Sequence, residues 1–403
     1  MSKPLQLSAD EARLLALRAQ GFLRPPNSVD GDVAAMLRRL GAVQLDTISV
    51  LARSHELVPY ARLGSVGRRA VEVAYWGEPP AAFEYYAHAA CVLPIEDWPY
   101  FAFRRRMSRQ GRRRWTPPER ILQEVRARLR DGPVTASDLG GARSGPGGWW
   151  SWSEAKLALE GIYLRGEAIC TTRRNWKRVY DLPERVVPSH LLAHEPTDEE
   201  CYAYLVRRAG RALGAGTRRD IANYYRLTVR WAGIVPDAAR LLDAALDASG
   251  LVPATVEGWA EPAWVDPALL KPARREEHRT ALLSPFDSLI WAEPTKTGGT
   301  LRERTYRIFG FRLPFEAYVP RDRRTHGYFS MPLLSEGRLV GHVDPARENG
   351  TLVARRVRLE CESYVAAMSS ALREVAAWVG CDAVRVDHVE PRRLAAPLRR
   401  ALR

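Results

Sequence analysis

Lysine is nearly absent from this chain: 5 lysines stand against 56 arginines in 403 residues. A reaction through a lysine Schiff base has few nucleophiles to draw on. Cysteine is sparse as well. Cys91, Cys170, Cys201, Cys361 and Cys381 are widely spaced, odd in number and never arranged as CxxC. That pattern argues against a disulfide framework and against a zinc site. No run of about 18 apolar residues exists, so no transmembrane helix is expected. The opening stretch, MSKPLQLSADEARLLALRAQGF, reads as an amphipathic helix with acidic residues in its first turn. It has neither a contiguous apolar region nor a cleavage site, so it is not a signal peptide and a cytoplasmic protein is expected. There is no GxGxxG after a strand, no P-loop, no HExxH and no GxSxG elbow. No metal and no cofactor are expected, and no helix-hairpin-helix glycosylase signature is visible.

Positive charge is what the chain does have. Its formal net charge is +14, a field that attracts polyanions. A GC-rich coding sequence explains part of the arginine excess, but its placement adds information. FRRRMSRQGRRRW puts seven arginines into 103–115, and TTRRNWKRVY (171–180) and PRDRRTHGY (320–328) are basic tips bordered by aromatics. A nucleic acid is the expected partner.

Periodicity gives helices at 8–20 and 30–41, the second closed by Gly41. Pro117-Pro118 opens a helix to Arg130, Gly132-Pro133 breaks it, and VTASDL starts another under a Thr or Ser cap. After GARSGPGG comes WWSWSEAKLALEGIYLRG, a helix expected to bury Leu157, Leu159, Ile162 and Leu164, and then a β-hairpin in EAICTTRRNWKRVYDL. Helix, turn, helix, helix, hairpin is the order of a winged helix. GAGTRRDI repeats the joint GPVTASDL and opens a third unit, with a helix at 236–250 and a second candidate wing in LVPATVEGWAEPAWV. Residues 280–360 are strand-like and suggest a small β-barrel or curled sheet. A helix at about 361–379 and a strand at 383–389 close the chain, and 293–304 is read as a loop.

The polar pair in GAVQLDTISVLARSH (41–55) interrupts an otherwise apolar segment. In an extended chain Gln44 and Asp46 project to one side while Leu45 turns inward. An amide and a carboxylate on one face hold a water between them. The competing reading is that Asp46 caps a helix beginning at Thr47. His55 and His88 are candidate supporting partners, each also readable as an ordinary hydrogen-bonded histidine. The three tryptophans of GGWWSW (147–152) suit packing better than base stacking. Arg173, Arg174, Lys177 and Arg178 form a candidate phosphate-contacting wing. Asp287, in LSPFDSLIW, suits a turn or a buried network better than catalysis.

Taken together, VQLDTISVLARSHELVPYARLG, AHAACVLP, GGWWSWSEAKLALEGIYLRGE, TRRNWKRVYDLPERVVP, NYYRL, LLSPFDSLIW and YFSMPLLSEGRLVGHVD resemble the winged-helix DNA glycosylases that unhook interstrand crosslinks, the AlkZ/AlkX (YcaQ-like) group. The family's catalytic motif is Gln-apolar-Gln or Gln-apolar-Asp. Gln44-Leu45-Asp46 is similar to the AlkX branch, and Asp46 argues against the antibiotic self-resistance branch. The resemblance implies an α+β fold of tandem winged-helix modules, followed by a small β-barrel-like domain, in a C-shape around DNA. The expected segments are 1–115 (first winged-helix module, with the catalytic motif), 116–190 (second), 191–270 (third) and 271–403 (β-rich, with a terminal helix). It also implies hydrolysis of N7-alkylguanine and unhooking of N7-guanine crosslinks by a monofunctional, base-excising monomer with Gln44 and Asp46 as catalytic residues. Arg173, Arg174, Arg323 and Arg324 are the leading DNA contacts, joined by Lys177, Arg178 and His326, and the turn at 321–327 is the expected groove-inserting element. A winged-helix transcriptional regulator without activity is the alternative, since fold does not fix function.

Overall fold

The structure is a computed structural model that describes residues 3–24, 32–110, 118–139, 154–228, 236–271, 276–291, 293–294, 300–301, 303–313, 315–317 and 319–403. The chain is α+β and divides into two compact units, neither continuous in sequence. One comprises residues 1–68, 210–220 and 251–403; the other comprises 69–209 and 221–250. These borders differ from the consecutive segments read from sequence. Strand pairing explains part of the difference: Leu5–Leu7 runs parallel to Val252–Val256, some 250 residues away.

In the first unit, helix Ala9–Ala19 starts where Ser8 and Glu11 form a reciprocal capping box. Its buried face includes Ala12, Leu15, Ala16 and Ala19. Helix Val33–Leu40 is capped by Asp32 and ended by Gly41 in the left-handed conformation, as expected. A four-stranded sheet joins Leu5–Leu7, Val252–Val256, Ala263–Val265 and Ala215–Thr217 in that order. The C-terminal part is a five-stranded sheet in the order Ala281–Leu282, Met331–Ser335, Arg338–Glu348, Thr351–Leu359, Ala383–Glu390. Its pairs are antiparallel except the last. Helix Val365–Trp378 supplies the crossover that a parallel pair requires. Register shifts at Leu333/Leu334 and Asp344/Pro345 bend the long strands. Met331, Leu333, Val343, Val357, Met368, Leu372 and Val375 fill the core between this sheet and the helix. Within the stretch read as a loop, 293–304, Glu293–Pro294 pairs with Thr300–Leu301, and a helix begins at Glu303.

The second unit holds the hairpin Ala82–Tyr86/Ala90–Pro94, helix Ala102–Arg109, and then a winged-helix order. Helix Glu119–Asp131 leads to strand Val134–Thr135, helix Glu154–Arg165, and the hairpin Ile169–Arg174/Lys177–Asp181. Within VTASDL the chain forms that short strand and a turn, where a helix start was expected. Val134–Thr135 pairs with the outgoing strand of the hairpin, which closes the winged-helix sheet. Leu159, Ile162, Tyr163 and Leu164 are buried, whereas Leu157 is only half-buried. The repeated joint is real at the level of hydrogen bonds. Thr135 N donates to Asp138 Oδ2 at 2.7 Å, and Thr217 N donates to Asp220 Oδ2 at 2.9 Å. The later copy runs through helix Asp198–Leu213, Ala215–Thr217, helix Arg218–Tyr224 and helix Ala238–Ala248 to the strands Val252–Val256 and Ala263–Val265. Its first strand again pairs with its last.

Among the described residues, no helix is long and apolar enough to cross a membrane.

Candidate functional site

The left-handed Gly41 turns the chain out of its helix and into the short strand Val43–Gln44. Burial then alternates. Val43 and Leu45 are inside, and Gln44 and Asp46 are half-buried on the opposite side. At the spacing of an extended chain their Cα atoms lie about 7 Å apart. Asp46 does not begin a helix: the next one is Ser54–Leu63, and its N-cap is Arg53. Instead Asp46 Oδ1 accepts the Ile48 N–H at 2.7 Å, an Asx-turn that fixes the carboxylate's direction. Burial raises its pKa above the ordinary aspartate value, opposed by the amides of Ile48 and Thr47. No cationic side chain pairs with Asp46 among the described residues. Ile48 and Val50 anchor the far side of the turn on the core cluster that includes Phe286 and Phe329. The segment therefore holds an amide and a carboxylate, both half-buried on one side of the chain, with no cationic partner for the carboxylate among the described residues.

The wing is built differently from its sequence reading. Arg174, Asn175, Trp176 and Lys177 make a two-residue turn with positive φ at Asn175 (49°) and Trp176 (64°), the type I′ geometry of tight hairpins. Arg174 and Lys177 are exposed at the tip, with Lys177 Nζ donating to Ser137 Oγ at 2.9 Å. Arg173 and Arg178, expected as phosphate contacts, point inward. Both grip Glu84, which is 1% exposed: Arg173 donates to its two oxygens at 2.5 and 2.7 Å and Arg178 donates at 2.9 Å. Arg178 also meets Glu160, which accepts from the Tyr180 hydroxyl at 2.8 Å. A buried carboxylate demands such partners. These two arginines thus fasten the wing, and its exposed cations, Arg174 and Lys177, stand at its tip.

The second basic turn is outward. Arg323 is exposed beside Arg321 in the short helix Arg321–Arg323. Arg324 is half-buried, donating to the Val319 carbonyl at 2.7 Å and lying over the Tyr328 ring at 4.8 Å. Two carboxylates that the sequence did not flag hold this loop. Glu316 accepts from Thr325 N, Thr325 Oγ1, His326 N and Gly327 N at 2.7–3.1 Å. Burial pushes its pKa up, but these donors outweigh it and leave it below the usual value. Asp344 Oδ1 accepts the Phe329 N–H at 2.9 Å. Gly327 has φ +109°, and a Cβ there would lie 2.2 Å from Asp344 Cγ.

Residues 37–379 match the family described as DNA glycosylase AlkZ-like. The chain belongs to this family. The fold of this AlkZ-like glycosylase is also similar to that of Streptomyces sahachiroi DNA glycosylase AlkZ. The TM-score is 0.59 at 18% identity, covering 96% of this chain and 100% of that one. Family membership makes the protein a DNA-binding repair enzyme that hydrolyses N-glycosyl bonds, and it sets aside the non-enzymatic regulator.

The remaining candidates of the AlkZ-like glycosylase are structural in their surroundings. His55 is 3% exposed on helix Ser54–Leu63. His88 is 4% exposed, with Nδ1 3.2 Å from the Asn223 carbonyl and Nε2 2.9 Å from Arg226 Nη2. Arginine only donates, so His88 Nε2 accepts and the proton sits on Nδ1. That neutral ring ties its loop to the end of helix Arg218–Tyr224. Asp287 forms the buried network that its context suggested. Its oxygens receive Arg62 at 2.7 and 2.8 Å, and Arg62 and Ser288 both donate to Gln20 Oε1 at 2.7 Å. Of the arginine run 103–115, Arg104 and Arg105 are buried against carbonyls and aromatic rings rather than exposed. Residues 111–115, the tryptophans of 147–152 and the centre of the 293–304 segment lie outside the described residues.

Proposed function

We propose that this glycosylase releases N7-alkylguanine from duplex DNA and unhooks N7-guanine interstrand crosslinks. The observation that carries the reading is the pair Gln44 and Asp46, set on one face with Leu45 buried between them and no cation neutralising Asp46 among the described residues. Alkylation at N7 makes the base cationic and weakens its glycosidic bond, so the leaving base needs no general acid. What the enzyme must supply is stabilisation of an oxocarbenium-like sugar and a water. Asp46 does the first by charge, which counts for more in a partly desolvated position than in water. It does the second by accepting the proton of the attacking water. Gln44 orients that water through an amide able to donate and accept at once. One carboxylate suffices here, unlike the acid and base pair of most glycoside hydrolases. The Asx-turn leaves Asp46 aimed without consuming its charge.

A crosslinked guanine is held by its partner strand and cannot swing into a deep pocket, so the usual base-flipping route fits poorly. Contacts to the backbone by exposed cations fit better. Arg174 and Lys177 at the wing tip and Arg323 on the outward turn take that role, with Arg324 and His326 beside it. No lysine lies within 41–55, in keeping with a monofunctional enzyme that leaves an abasic site, and the tandem modules are read as a monomer.

The test uses duplexes carrying one N7-methylguanine or one nitrogen-mustard crosslink. After incubation, strand breaks at the lesion are expected only once alkali is added. Breaks before alkali would overturn the monofunctional assignment. Lesions left intact in both duplexes would overturn the substrate.

A further inference from the structure

The C-terminal sheet and the segment 306–313 enclose a cleft of about 1060 Å³ that none of residues 41–50 lines. Small-molecule sites span roughly 300–1,000 Å³, so this one has room for a nucleotide. Its rim carries charges of both signs, Arg312 and Arg358 against Glu360 and Glu390. Among the described residues none of these four forms an ion pair. Nor, among the described residues, do their side chains make a hydrogen bond. Arg312 lies instead over the Tyr306 ring, 4.5 Å from its centroid, and Tyr306 is 49% exposed.

His342 is the buried histidine of the lining, at 2% exposure, and sits opposite Arg358 in the strand register. Its Nδ1 is buried and has no hydrogen-bond partner among the described residues. Leaving a lone pair orphaned there costs less than leaving an N–H orphaned, so the proton is assigned to Nε2. Burial, with His326, Arg358 and Arg356 acting in the same direction against Glu316, pushes the pKa down to about 4. The ring is then neutral near pH 7 and presents one N–H.

We propose that this cleft binds a guanine base, either one unstacked from DNA with no crosslink to hold it or one already released, with Tyr306 and Arg312 as the stacking surface. Glu360 and Glu390 accept from the N1–H and amino edge, and Arg358 and His342 donate to O6. Guanine is the base that sets a strong acceptor beside two donors, which matches the split lining. Occupancy of the cleft is read by binding and not by base release, so it stands apart from the role given to Asp46.

Isothermal titration of the full chain with free 7-methylguanine, the DNA tetranucleotide TTGT and the control TTTT tests it. At least one guanine probe should bind, and TTGT, if it binds, should do so at least five-fold more tightly than TTTT. Binding of TTGT alone identifies an unstacked strand as the source, and binding of 7-methylguanine alone identifies the released base. Because replacing buried His342 risks the fold, the variants are the exposed Tyr306→Ala and Glu360→Gln, with circular dichroism as the folding check. Tyr306→Ala should weaken guanine binding about five-fold or more, the scale of one base–aromatic stack, and Glu360→Gln by about five-fold or more through loss of a charge-assisted hydrogen bond. Failure of both guanine probes, equal binding of TTGT and TTTT, or binding that survives both substitutions would overturn the assignment. An Asp46→Asn protein that loses base release but keeps guanine binding would separate this inference from the catalytic one.

Discussion

Asp46 and Asp287 share a local geometry. Each accepts the backbone N–H two residues ahead, from Ile48 at 2.7 Å and from Leu289 at 2.9 Å. What surrounds them differs. Asp287 is fully buried and receives both arms of Arg62, whose other donors are taken by Gln20 and by the Val58 carbonyl. Asp46 is half-buried and meets no cation among the described residues. One carboxylate has its charge consumed by the fold, and the other keeps it. The same turn thus serves as a rivet in one place and, in the proposed mechanism, as a poised base in the other, and the guanidinium makes the difference.

Asp46→Asn puts this contrast under the greatest strain. It should lower base release by about 10²–10⁴-fold, the usual range for a general base, while DNA binding is retained. Single-turnover alkali cleavage alongside a gel-shift titration separates the two, and normal release would remove Asp46 from the mechanism. Arg62→Met attacks the other half. It leaves Asp287 as an uncompensated buried charge and should cost about 3–5 kcal/mol in urea unfolding. Adding Asp287→Leu should restore much of that loss; if it does not, the pair is more than a rivet.

A smaller effect lies in pH. Burial raises the Asp46 pKa, so the base is lost on acidification earlier than an ordinary aspartate would be. The acid limb of the cleavage rate should therefore lie above the usual aspartate value and vanish in Asp46→Asn. Stability runs the other way for this group, because a raised carboxylate pKa means that the folded state binds the proton more tightly than the unfolded chain. Its contribution to folding thus improves as pH falls through the raised value. The smallest effects belong to the wing. Replacing Arg174 or Lys177 by Gln should reduce the salt dependence of DNA binding, by about 0.9 in the log–log slope for each phosphate no longer neutralised. Arg173→Gln should leave that slope unchanged and lower the melting temperature, because Glu84 loses a partner. If Arg173 changes the slope as Arg174 does, the inward assignment is wrong.

What could be read from the sequence was local. The alternation at 43–46, the Gly41 stop and the matched joints at Thr135 and Thr217 all follow from neighbours within four residues. The fate of the wing arginines did not, because Glu84 lies 89 residues before Arg173 and nothing near the hairpin announces it. Arg62 and Asp287 are separated by 225 residues, so only the need for a partner was legible, not its identity. Glu316 and Asp344 read as ordinary charges on strand-like segments until the loop between them closes. The compact units were hidden for the same reason, since their strands pair across long stretches of chain.

Gly327 shows how narrow the tolerance around the outward basic turn is. The carboxylate of Asp344 occupies the space where any other residue would place its first side-chain carbon. A methyl group there would evict the acid that pins Phe329 and would pull the neighbouring arginines off station. Variation at this surface can therefore enter through the identity of residues 321–325, whereas the hinge beneath them admits only hydrogen.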